Sequence, residues 1–186
     1  KLEGLDLSQA ASLVSIGAKA FIQTSTLKGK LVIPAKVKTI GEFAFYKTIL
    51  TSLDLSQAAS LETIGNNAFA STKLTSLDLT GCKSLTNVDA LANMTLLTEL
   101  GLVACKSLTN VDALVKLTAV TDLRLTNCFS LENVDGLANM TALTKLMLFG
   151  CPSLTNVNGL ANMTAMVELN LARCLTLSGI HLLIHE

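Results

Sequence analysis

Five cysteines, Cys82, Cys105, Cys128, Cys151 and Cys174, recur at a fixed interval of 23 residues, and the residues around them recur too. A period of that size marks a stacked repeat array, and it constrains the fold more than any other feature of the chain. The unit reads Leu74-x-x-Leu77-x-Leu79-x-x-Cys82-x-x-Leu85-x-x-Val88-x-x-Leu91-x-x-Met94, and further copies open at Leu97, Val120, Leu143 and Met166. Its Leu-x-Leu alternation is the period-two pattern of a strand with one buried face. Successive strands would then lie about 4.8 Å apart in a parallel ladder, with Leu85, Val88, Leu91 and Met94 turning back behind them to fill the interior.

Before Leu74 the frame continues in a second dialect. Leu2-x-x-Leu5-x-Leu7-x-x-Ala10 and Leu50-x-x-Leu53-x-Leu55-x-x-Ala58 keep the strand, while the return segment carries Ile16-Gly17-x-x-Ala20-Phe21, Ile40-Gly41-x-x-Ala44-Phe45 and Ile64-Gly65-x-x-Ala68-Phe69. Eight units open near residues 2, 27, 50, 74, 97, 120, 143 and 166, the second of them irregular, and no linker separates them. Asp89, Asp112 and Asp135 precede the "ALANM" stretch or its equivalent, where an Asx side chain is expected to cap a brief helical turn.

Composition excludes several alternatives. Half of the residues are hydrophobic, enough for a large core, yet they come as single Leu, Ile and Val residues rather than a run of about 18, so membrane insertion is not expected. Formal charge is zero and the charges are scattered, which argues against nucleic acid as a partner. Aromatics make up 4% of the chain, with no Trp, leaving few faces on which bases or sugars could stack.

The Leu-x-x-Leu-x-Leu-x-x-Cys pattern resembles the leucine-rich repeat over essentially the whole chain. The resemblance implies an α/β solenoid of about eight repeats of roughly 23 residues, with one parallel β-sheet on a concave face and short helical or 3-10 turns and loops on the convex face. We read residues 1–186 as a single domain, divided into 1–73 and 74–186. The first part, with "LVIPAKVKTIGEFAF", is similar to the BspA-like repeats of bacterial surface proteins. The second resembles internalin-type or trypanosomatid cysteine-containing repeats, although it places Cys where internalins place Asn. These families imply adhesion or recognition at a cell surface, and they offer no catalytic residues to carry over.

The residues themselves agree with a non-enzymatic reading. No Ser, His and acid set stands out, and His181 and His185, four apart near one end, are a weak pair for zinc. The cysteine interval matches neither C-x-x-C metal spacing nor a disulfide framework. Because Ala10 and Ala58 fill the same position earlier, a small buried side chain is the plainer explanation, with the thiols bonding loop carbonyls as a ladder. The aligned Asp89, Asp112 and Asp135, continued by Asn158, could coordinate Ca²⁺, but capping explains them more simply. Asn93, Asn139 and Asn162 stand in Asn-Met-Thr sequons that matter only in a eukaryotic secretory pathway. No metal and no cofactor is therefore expected.

Comparison among the repeats separates scaffold from surface. Core positions barely vary, whereas outward strand positions change from unit to unit, and the later units gather an apolar centre with a charged rim. The expected partner-binding residues are Glu99, Val103, Asp122, Arg124, Lys145, Met147, Phe149, Glu168 and Asn170, with Met147 and Phe149 exposed side by side. The partner would be a protein, either a host or a self surface protein, bound on the concave sheet of an extracellular or cell-surface molecule. Two other functions fit the repeats: a structural stalk or spacer, and an intracellular scaffold that would suit free thiols. The chain opens without Met and its last unit ends "LSGIHLLIHE". We expect a segment of a longer chain, or ends covered by end-to-end self-association.

Overall fold

The computed structural model describes residues 5–7, 9–55 and 57–177. Seven strands form a single parallel sheet: β2 (Lys28–Val32), β4 (Ile49–Asp54), β6 (Ser76–Asp78), β7 (Glu99–Gly101), β8 (Asp122–Arg124), β9 (Lys145–Met147) and β10 (Glu168–Asn170). Each pairs with the strand of the next unit, so sheet order follows chain order and the chain is a solenoid. From β6 onward the register advances one repeat at a time, as in Leu77↔Leu100, Leu100↔Leu123, Leu123↔Leu146 and Leu146↔Leu169. The short second unit is absorbed by a register slip between Gly29 and Lys30, where Gly29 takes φ +82°. In the first unit, described residues 5–7 form no strand, although Leu5 and Leu7 pack against the core.

The interior is continuous. Leu77, Leu100, Leu123 and Leu146 point inward from the strand centres and meet the rows built on Leu85, Val88 and Leu91, all nearly inaccessible to solvent. A single unit could not bury its apolar face, and stacking does so for every unit except those at the ends. In the early units the core is aromatic: Phe21, Phe45 and Phe69 stack with ring centroids 5.1 and 5.3 Å apart and planes within 11° and 2°.

Two features of the return segments differ from expectation. First, a second parallel sheet exists behind the main one, made of β1 (Ser15–Ile16), β3 (Thr39–Ile40) and β5 (Thr63–Ile64). The Ile-Gly step creates it, because a Cβ on Gly41 would collide with the backbone at Ala18, and one on Gly65 with the backbone at Glu42. Glycine thus lets consecutive units approach closely enough to pair. Second, the later units carry 3-10 turns at Asp89–Leu91, Asp112–Lys116, Asp135–Leu137 and Asn158–Leu160, but the aspartates do not cap them. Each Asp is the first helical residue, too far into the turn to accept from it. The Oδ1 of Asn87, Asn110, Asn133 and Asn156, two residues earlier, accepts that residue's N–H at 3.2 Å in every unit.

Candidate functional site

Period-two alternation sends the residues flanking each central Leu outward, and the parallel register stacks them into rows. One row runs Ser76, Glu99, Asp122, Lys145, Glu168; the other runs Asp54, Asp78, Gly101, Arg124, Met147, Asn170. Seven of the nine sequence-predicted residues lie in these rows. Val103 and Phe149 fall beyond the ends of β7 and β9, on the exit turns.

Charge is organised within the rows. Arg124 donates to both carboxylate oxygens of Asp122, Nε to Oδ1 at 3.1 Å and Nη2 to Oδ2 at 2.8 Å. This bidentate bond, helped by the charges of Asp122, Glu99 and Asp78, raises the Arg124 pKa further. Lys145 pairs with Glu168 across β9 and β10 at 2.8 Å, and Lys30 with Asp54 at 2.8 Å. Pairs this exposed contribute little to stability, about 0–1 kcal/mol each, and instead fix side-chain orientation. Among the described residues, Asp78 and Glu99 form no ion pair. They border a shallow recess of about 110 Å³ over Gly101, shared with Ser76, Asp122 and Arg124. The recess exists because residue 101 has no side chain: a Cβ there would come within 2.5 Å of Asp78 Oδ1.

The apolar centre differs from expectation. Met147 and Phe149 are both half-buried rather than exposed, and the Arg173 guanidinium lies 5.3 Å from the Phe149 ring centroid, covering part of its face. The apolar groups that do stand out were not singled out from sequence. Phe129 is 43% exposed, with Lys106 Nζ 5.1 Å from its ring centroid, and Leu175, at the same repeat position, is 83% exposed. That position, just after each Cys, reads Lys83, Lys106, Phe129, Pro152, Leu175. The row-by-row comparison applied to the strands would have found it.

The cysteines form the expected ladder. All five are free and buried, and each thiol donates to a carbonyl of the preceding unit: Cys82 to Ala58 at 3.8 Å, Cys105 to Leu79 at 3.3 Å, and Cys128, Cys151 and Cys174 to Leu102, Leu125 and Leu148 at 3.1 Å. Burial pushes Cys82 up to about 11 and Cys128 and Cys151 up to about 12, so these thiols stay protonated donors. A second ladder runs beside them at the strand entrances, where Thr98, Thr121 and Thr144 hydroxyls donate to the carbonyls of Thr75, Thr98 and Thr121.

Asp89, Asp112 and Asp135 are exposed, and among the described residues no group of three acidic, His or Cys side chains converges as a metal site would. Asn93, Asn139 and Asn162 are exposed. His181 and His185 lie outside the described residues. No helix among the described residues is long and apolar enough to cross a membrane.

Comparison with known proteins follows the same lines. No curated protein sequence matches the chain. Among solved structures it is similar to an internalin from Listeria monocytogenes (17% identity, 87% of this chain and 55% of that one, TM-score 0.29). It is also similar to the functional domain of InlJ from Listeria monocytogenes, which includes a cysteine ladder (17% identity, 88% and 49%, TM-score 0.35). A third is a leucine-rich repeat protein from Bacteroides ovatus (16% identity, 86% and 70%, TM-score 0.26). The chain spans about half the length of the two Listeria chains. The sequence profile of the BspA-type leucine-rich repeat matches in six copies over residues 1–100 and 80–183, and the chain therefore belongs to the BspA-type leucine-rich-repeat family.

Proposed function

We propose that the chain is a non-enzymatic recognition or adhesion module of a cell-surface or secreted protein, and that it binds a protein partner on the outward rows of β7–β10. One observation carries the reading. Buried positions repeat almost without change through these units, while the outward positions aligned with them change at nearly every step: Glu99, Asp122, Lys145, Glu168 and Gly101, Arg124, Met147, Asn170. Solenoids expose extended surfaces that suit protein interaction, and a surface of mixed charge around half-buried apolar groups suits a protein better than a small molecule. Val103 and Phe149 extend this face onto the exit turns.

The test is capture of host or self surface proteins by the intact chain and by Arg124→Ala/Met147→Ser/Phe149→Ser. Circular dichroism would verify the fold, and the surface-only variant Glu99→Lys/Arg124→Glu would replace the triple variant if its half-buried changes unfold it. Loss of a partner by a folded variant supports the reading. Equal retention moves the site off these strands, and no partner at all favours a spacer.

A further inference from the structure

The turns that leave β6 to β10 are built alike. Ahead of each cysteine stands a residue with positive φ: Gly81 at 82°, Ala104 and Asn127 at 59°, Gly150 at 73° and Arg173 at 62°. The chain turns sharply there, the cysteine is buried, and the residue after it returns to the surface. Lys83, Lys106, Phe129 and Leu175 are exposed at that position, and Pro152 is half-buried. Backbone bonds between units, from Ser107 N–H to Lys83 O and from Ser130 N–H to Lys106 O at 3.2 Å, hold the first three side by side. These residues therefore form one edge of the solenoid, with a step of about 4.8 Å per unit.

Charge on this edge has one sign. The exit turns, residues 79–84, 102–107, 125–130, 148–153 and 171–176, contain Lys83, Lys106 and Arg173 and no Asp or Glu. Among the described residues none of the three cations enters an ion pair. The strands that feed these turns have the opposite balance, with the acids Asp78, Glu99, Asp122 and Glu168 against the bases Arg124 and Lys145. A positive edge thus borders a negative sheet face in a chain whose formal charge is zero. Field of a single sign selects partners of the other sign.

Apolar groups stand among the cations, chiefly Phe129 and Leu175, so the occupant must offer apolar as well as anionic groups. Lys106 lies over the Phe129 ring and Arg173 over that of Phe149, which takes up the faces that nucleic acid bases would stack on. Three cations are also few for a nucleic acid backbone or for an anionic bilayer. An extended polypeptide fits better, because four repeat steps from Lys83 to Leu175 span about 19 Å, the length of about six residues of strand.

We propose that the exit-turn edge is a second docking surface and that it takes an acidic, partly apolar segment of another polypeptide. Carboxylates meet Lys83 and Lys106, an apolar side chain rests against Phe129, and the far end of the segment reaches Arg173 and Leu175. This edge is separate from the strand rows and works whether or not a protein binds there.

The test is fluorescence anisotropy of short labelled peptides titrated with the intact chain. In the series, Asp and Glu progressively replace Ser around a Leu-Phe pair; control series carry Lys in place of the acids or Ser in place of the apolar pair. Saturable binding is expected only for acidic peptides that keep the apolar pair, tighter with more acids and weaker with added salt. Lys83→Glu/Lys106→Glu should weaken it by about tenfold or more and Phe129→Ser several-fold. These positions are exposed, and circular dichroism would verify that the variants are folded. Glu99→Lys/Arg124→Glu, a charge-neutral change confined to the strand rows, should bind the peptide as the parent does, so the two surfaces fail or stand separately. The proposal is overturned if no acidic peptide saturates, if the Lys peptides bind equally, if either exit-turn variant binds as the parent does, or if the strand-row variant loses binding. It is also overturned if phosphatidylserine vesicles or single-stranded DNA bind the edge more tightly than the peptides.

Discussion

Each thiol of the ladder stands where an earlier unit has a wholly buried alanine, Ala58, so the position tolerates a smaller side chain and the sulfur adds a hydrogen bond to the packing. The size of that addition should follow the geometry. Cys128, at 3.1 Å from Leu102 O, loses both contact and bond on mutation to Ala, costing about 1–2 kcal/mol. Cys82, at 3.8 Å from Ala58 O, should lose distinctly less. Urea midpoints of the two variants check this, and equal losses would show that packing alone matters. The raised pKa values add a pH dependence. A buried thiol ionises later in the folded chain than in the unfolded one, so its contribution is intact below about pH 9 and is lost as pH climbs toward 11 to 12. Stability should fall through that alkaline window, and replacing Cys128 and Cys151 by Ala should flatten the fall in denaturation measured at stepped pH.

The stacking distance between return segments acts at the scale of the element. Ala90 and Ala113 are the second residues of the 3-10 turns of the fourth and fifth units, whereas Gly136 and Gly159 hold the same place in the next two. A Cβ on Gly136 would run into the Val111 carbonyl, and one on Gly159 into that of Val134. Gly136→Ala should therefore destabilise by about 1–3 kcal/mol although alanine is native two units earlier. Gly17→Ala, with nothing within 4 Å of the added carbon, should be neutral. Thermal unfolding of both variants decides, and a neutral Gly136→Ala would mean that the units shift apart at no cost. The existence of these turns was legible, since a unit of this length leaves room for little more than a turn behind its strand. Their caps were not: Asp89 and Asn87 both suit an Asx turn, and only the start of the turn decides between them.

Across the whole molecule the period made the sheet, its register and its buried rows readable, because leucine at every second position has one way to be hidden. The outward rows were readable for the same reason, but how far Met147 and Phe149 protrude was not, since the covering by Arg173 comes from the next unit. Least legible was the meeting of the dialects. Each reads as a sound repeat alone, and only stacking reveals that their backbones do not match. In a quasi-one-dimensional stack, stability is a sum of units and nearest-neighbour interfaces, so one poor interface divides the array. Three observations place it between the third and fourth units. β4 and β6 pair at the single position Asp54↔Asp78, whereas β6 and β7 pair at three. The Cys82 bond is the longest of the five. The amides of Asn67, Phe69 and Ser71 have no acceptor among the described residues. Native-state hydrogen exchange should therefore show Phe69 and Ser71 exchanging faster than Phe45 and Lys47. With rising denaturant, residues before the junction should open as a block separate from those after it. A single opening reaction with equal protection on both sides would show instead that the continuous leucine core couples the two dialects into one cooperative unit.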